Sequence, residues 1–157
     1  MKLFNQKINL SLIPAWIPVV VFIVTLVGFA DAVYLTVEHY SNVIPPCNIG
    51  GCETVLTSQY SQIVGIPVSL VGSIYYFCIS VLLLMYIDTK KEIYLRIPFL
   101  VSIMGMLASL WFIYLMIFVI KAFCPYCAVS ATTSTIIFVL AYYSVLKSQY
   151  LSRQAQE

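Results

Sequence analysis

The sequence predicts an all-α integral membrane protein, a bundle of four transmembrane helices with one long outer loop. Three observations predict it. The 157 residues are 62% hydrophobic and only 9% charged, a composition that excludes most soluble classes. The apolar residues form four long runs, and about 20 such residues in a helix cross the hydrocarbon with every backbone N–H and C=O satisfied internally. The basic residues fall on alternate connections.

Taken in order, the first span is expected over about residues 13–37, with Pro14 and Pro18 near its entrance and one acid, Asp31, inside it. The second covers about 67–87 without a charge, and the third about 97–120. Gly105 and Ala108 in the third are small enough to permit close helix contact. The fourth covers about 124–146, and the outer loop about 38–66. Four spans leave one membrane domain, 1–157, and no room for a second. Lys2, Lys7, an apolar core and Ala30-Asp31-Ala32 imitate a cleavable leader. The apolar stretch from Ile13 is longer than a usual leader core, however, and Val33-Tyr34-Leu35 continues it past the small-residue site.

Orientation follows from lysine and arginine, which cytoplasmic segments retain. Lys2 and Lys7 precede the first span, Lys90, Lys91 and Arg96 join the second to the third, and Lys147 and Arg153 follow the fourth. Of the eight basic residues only Lys121 falls on the opposite side. The reading is a multi-pass protein of the cell (inner) membrane with both termini cytoplasmic. The net charge of +2 is then a topology signal, and no nucleic-acid partner is implied.

Both short cysteine pairs fall on the outer face. Cys124-Pro125-Tyr126-Cys127 opens the fourth helix. Two thiols at this spacing can close a small disulfide, and the free N–H groups of a helix start stabilise a thiolate. Pro125 suits the first turn, where its missing N–H costs nothing. Cys47-Asn48-Ile49-Gly50-Gly51-Cys52 lies in the outer loop after Pro45-Pro46. Its glycines let the sulfurs meet or part, as thiol exchange requires. Glu53 to Tyr60 is expected to form a short amphipathic helix over the membrane face, with Cys52 at its start. Together the pairs read as a dithiol relay. Other readings of the same residues are static disulfides stapling a loop, four thiolates on zinc in a non-catalytic metal-binding or transport protein, or unrelated loop cysteines. Cys78, about 16 Å down the second helix at 1.5 Å per residue, is expected to be a small buried hydrophobe.

The order of motifs is more specific than any one of them. The loop pair leads into Cys52-Glu53-Thr54-Val55-Leu56-Thr57-Ser58-Gln59-Tyr60, then Gly65-Ile66-Pro67-Val68-Ser69-Leu70-Val71-Gly72, and C-P-Y-C opens the last helix. Gly28-Phe29-Ala30-Asp31-Ala32-Val33-Tyr34-Leu35-Thr36 and His39 fit the opening segment. Over nearly its whole length the chain resembles the vitamin K epoxide reductase family, in its prokaryotic branch. Unrelated quinone-linked disulfide oxidases also use four helices, but they place C-x-x-C in the first outer loop, the reverse of the order here.

That resemblance implies a bundle around a quinone of ubiquinone or menaquinone type, and a route for electrons. Cys47 exchanges with a partner, Cys52 passes electrons to Cys124, and Cys127 faces the quinone. Ser58 matches a loop serine that assists the redox chemistry. Many prokaryotic members carry a thioredoxin-like domain after the last helix. The chain stops at Glu157, so the partner is expected to be a separate extracytoplasmic thioredoxin-fold protein. The implied activity is a quinone-dependent thiol oxidase that supports disulfide formation outside the cytoplasm, and no metal ligands are assigned. Two departures concern the substrate: Val68 and Ala131 stand where vertebrate members have an Asn and a Tyr contacting the quinone. Recognition is then mainly apolar, with Ser69 and Tyr75 as polar contacts.

Asp31 is read as a residue of the helix interface or a proton carrier, since an acid inside a span is costly and often functional. His39 is read as a solvated or capping residue. Tyr75, Tyr76 and Phe77 are read as pocket-lining or packing residues.

Overall fold

The computed structural model describes residues 14, 16–47, 51–91 and 93–154. Expectations resting on Lys2, Lys7, Ile13 and residues 48–50 lie outside them. Helix α1 is Trp16–Tyr40 and the short α2 is Cys52–Leu56. Strands β1 (Gln62–Ile63) and β2 (Ile66–Pro67) lead into α3 (Val68–Thr89) and α4 (Ile93–Tyr114). A π-helical segment, Leu115–Ile120, continues α4, and α5 is Pro125–Gln154. Among the described residues four helical stretches, 16–40, 68–89, 96–120 and 125–147, are long and apolar enough to cross a membrane.

The helices end where the backbone changes hand. α1 stops before Asn42, whose φ of 53° is the left-handed conformation that Asn tolerates, and the amides of Ser41 and Val43 close on Val37 and Glu38 carbonyls at 2.9 and 3.1 Å. The helix therefore runs past Val37, and Asp31 sits more than two turns from its C-terminal end. Lys90 and Lys121, at φ 51° and 55°, end α3 and the π segment. The fourth helix, expected to end near residue 146, instead continues to Gln154. Falling hydropathy marks the bilayer edge, but backbone hydrogen bonding continues through it.

α1 packs on α3 and α5, and α4 on α5 and α3. The core between α1, α3 and α5 is Ile17, Val21, Ala32, Tyr76, Ile79, Leu83 and Ile137. Ile23, Leu26, Phe77, Leu107, Trp111 and Val139 point outward, as lipid-facing residues do in a bilayer. Cys78 is on that exposed surface too, so it is no buried hydrophobe. Phe77, 57% exposed, is not among the residues lining the large cavity described below.

Hydroxyls set the helix register. Tyr76 donates to the Ser130 carbonyl at 2.8 Å and lies 2.8 Å from Thr133 Oγ1, while Tyr75 meets Ser134 Oγ at 3.3 Å. Gly28 and Gly105 make room for these two rings, since a Cβ at either position would overlap the tyrosine. An interhelical hydrogen bond in a membrane averages about 0.6 kcal/mol, so side-chain packing supplies most of the cohesion.

Candidate active site

Pro45 and Pro46 hold the chain extended ahead of Cys47, which is disulfide-bonded to Cys52 with Cα atoms 6.1 Å apart. Gly51 precedes Cys52 at φ +100°, a conformation that side-chain-bearing residues adopt only with strain. A Cβ on Gly51 would stand 2.9 Å from the Phe123 carbonyl oxygen and 3.0 Å from its nitrogen. The glycine thus lets the loop backbone rest on the backbone just ahead of Cys124. Cys52 and Cys124 are both fully buried and share one apolar cluster with Val55 and Met116, flanked by Cys47, Tyr126 and Cys127. The Tyr126 hydroxyl reaches the Pro46 carbonyl at 3.3 Å, tying the C-x-x-C turn to the loop segment ahead of Cys47.

Cys124 and Cys127 are free thiols, so one pair is oxidised and the other reduced within one molecule. Cys124 stands immediately before α5, and its carbonyl accepts the Ala128 amide at 3.1 Å. The hydrogen bond from the Cys127 thiol brings the Cys124 thiol down to about 7; the Cys127 and Tyr126 amides act in the same direction and burial opposes them. A lowered thiol is ionised more as pH rises. Closure of the Cys124–Cys127 bond by a small oxidant is expected to speed up about fivefold between pH 6 and 7 and less than about twofold above 7, following the thiolate fraction. Stopped-flow closure rates on the Cys47→Ala/Cys52→Ala protein check this; a rate flat below pH 7 and rising near 9 would contradict it.

Beneath the loop lies a cavity of about 950 Å³, in the range of sites for sizeable apolar ligands. Cys127 is on its wall, as are Ser58, Ser69 and Tyr75, whereas Cys47, Cys52 and Cys124 are not. Val68 and Ala131 line it as well, so the two departures from the vertebrate pattern fall on the cavity wall and make it more apolar. The residues fit a quinone: broad apolar faces for the ring and tail, a few hydroxyls for its oxygens, and one thiol.

The loop forms the roof. α2 is only Cys52–Leu56, shorter than the Glu53–Tyr60 helix expected, because Thr57 and Ser58 turn back to bond the Glu53 and Val55 carbonyls, each at 2.7 Å. The Ser58 hydroxyl is therefore occupied by backbone while facing the cavity. β1 and β2 then pair through a tight turn in which Val64 and Gly65 both have positive φ. His39 joins this hairpin to α1 through Gln62 at 3.3 Å, with both side chains at the cavity.

Tyr76 is more deeply integrated than its sequence context suggested, being 1% exposed with its hydroxyl on α5. The signal for that contact was the row of small hydroxylic residues Ser130, Thr133 and Ser134 at helical spacing after Cys127. Among the described residues no group of three or more His, Cys, Asp or Glu side chains is arranged to hold a metal ion.

No curated protein matches the chain. The model of the Vitamin K epoxide reductase family matches residues 19–142, which include both cysteine pairs and the four spans but for their ends. The chain belongs to the vitamin K epoxide reductase family, and is a multi-pass membrane protein of an oxidoreductase family that couples disulfide chemistry to quinones.

Proposed function

We propose that the protein reoxidises a separate extracytoplasmic thioredoxin-fold partner and passes the two electrons through its cysteine pairs to a membrane quinone of ubiquinone or menaquinone type, as a single membrane domain with both termini cytoplasmic. One observation carries the reading. Of the four paired cysteines, Cys127 lines the cavity, while Cys124 lies buried beside Cys52 in a common cluster.

In the cycle, a partner thiolate attacks the Cys47–Cys52 disulfide at Cys47, the half-buried sulfur, and the partner leaves oxidised. Cys52, now a thiolate, attacks Cys124 of the oxidised inner pair and expels Cys127. Cys47 then resolves the mixed disulfide, restoring Cys47–Cys52 and leaving Cys124 and Cys127 reduced. A bound quinone supplies a two-electron, two-proton sink. The chain's part is to hold Cys127 at the cavity wall, to keep Cys124 ionised for ring closure, and to exclude water with Val68, Ala131 and their apolar neighbours. Ser69 and Tyr75 are assigned to orient the quinone oxygens, and Ser58 to assist at the loop side.

Oxidation of a reduced thioredoxin-fold donor by the purified protein, with ubiquinone and menaquinone analogues, tests this. Quinone-dependent donor oxidation that disappears in Cys47→Ala is the expected result. Retained zinc with no turnover on any quinone would replace it by the metal-binding reading.

A further inference from the structure

We infer that Asp31 takes up the proton of the Cys127 thiol as the inner pair is oxidised and returns it toward the cavity, an assignment that rests on the quinone-linked reading above. Its position follows from two contacts that fix how α1 and α5 align. Near the outer end, Tyr34 packs on Tyr126 with ring centroids 5.6 Å apart. Farther in, a Cβ at Gly28 would stand 3.0 Å from Thr133 Oγ1. Asp31 lies midway between Gly28 and Tyr34 on the same helical face. It therefore meets α5 between Tyr126 and Thr133, the stretch that carries Cys127 and Ser130.

The titratable groups around it are Cys127 on α5, Cys124 just ahead of α5, and Tyr76 on α3. Asp31 Oδ2 is buried without a hydrogen-bond partner. A permanently unpaired acceptor is expensive at such a site, whereas one that receives a proton during turnover has a use for its vacancy. A hydroxyl network joins α3 to α5 at the same level. Tyr76 OH lies 3.3 Å from Ser130 Oγ and 2.8 Å from Thr133 Oγ1, and Tyr76, Ser130 and Cys127 all reach the cavity wall.

Cys124 has already released its proton to the outer water. Formation of the Cys124–Cys127 bond sends two electrons to the quinone, and the Cys127 S–H proton passes to the Asp31 carboxylate. That proton continues through the Tyr76 and Ser130 hydroxyls to the quinone oxygen, and the second proton comes from outer water. Asp31 ends the cycle unchanged.

Two readouts test it. Infrared difference spectra between the reduced and oxidised inner pair, set with a small dithiol buffer and no quinone, should contain a carboxyl band that is lost in Asp31→Asn and shifted in Asp31→Glu. In single-turnover quinone reduction by the pre-reduced pair, Asp31→Asn should be slower by about 100-fold, the usual scale for removing a proton-transfer group, and Asp31→Glu should recover most of the rate. No carboxyl band in the unaltered protein, or an Asp31→Asn rate within about twofold of it, overturns the assignment. If Asp31→Asn fails to fold, the band shift in Asp31→Glu decides alone. A band present in a protein that reduces no quinone would uphold Asp31 as proton carrier and sink the quinone-linked reading instead.

Discussion

Replacing Cys127 by alanine is expected to lower quinone-coupled turnover by at least about a thousandfold, while the Cys47–Cys52 disulfide still exchanges with a reduced donor. Cys127 is the paired sulfur on the cavity wall, so its loss removes the contact between the relay and its acceptor. It also leaves Cys124 without a resolving partner. Cys124 is buried beside Cys52, so part of the variant is expected to hold a Cys52–Cys124 mixed disulfide, in exchange with the Cys47–Cys52 form that still reacts with the donor. Mass spectrometry of a non-reducing digest checks for this linkage. Undiminished turnover would show that another group faces the quinone.

Gly51→Ala is expected to cut turnover by about 100-fold, because a displacement of the order of 1 Å between reacting groups costs that much. The added methyl cannot fit at 2.9 Å from the Phe123 carbonyl, so the loop must lift away from the backbone that carries Cys124. The left-handed backbone at this residue adds about 1–2 kcal/mol of strain. Gly65→Ala separates the two effects: its φ is +79° but nothing lies within 4 Å of the new methyl. Gly65→Ala should lose stability and keep turnover; Gly51→Ala should lose both, with donor exchange at Cys47 intact. Thermal unfolding and single-turnover electron transfer between the pairs check this. Equal turnover in the two variants would remove the loop contact from the mechanism.

The spans were legible because bilayer crossing needs long uncharged runs, a demand that the chain meets at four places whatever the packing. Their ends were less so. Neither the extension of α1 to Tyr40 nor the helical continuation past Lys147 has a hydropathy signature. The π segment was invisible, since Leu-Met-Ile-Phe-Val-Ile forms an α-helix equally well. Which way a residue faces was also hidden within uniformly apolar helices: Tyr75, Tyr76, Phe77 and Cys78 are consecutive, yet Tyr75 and the buried Tyr76 both reach the cavity wall, while Phe77 and Cys78 face outward. At the site, spacing gave the cysteine pairs, and the family resemblance gave the expected places of Ser58, Ser69 and Tyr75. The role of Gly51 required the tertiary contact with Phe123, which no local pattern encodes.

The coexistence of a closed outer disulfide with two inner thiols has a kinetic meaning of its own. In the proposed cycle a molecule in this condition has discharged one substrate and not yet met the other, holding two electrons in covalent form between the encounters. On that reading one substrate arrives from water and the other by diffusion within the lipid, at unrelated concentrations and frequencies. Because the protein stores the intermediate charge itself, the two need never be bound together, and scarcity of either delays the cycle without exposing the electrons to side reactions.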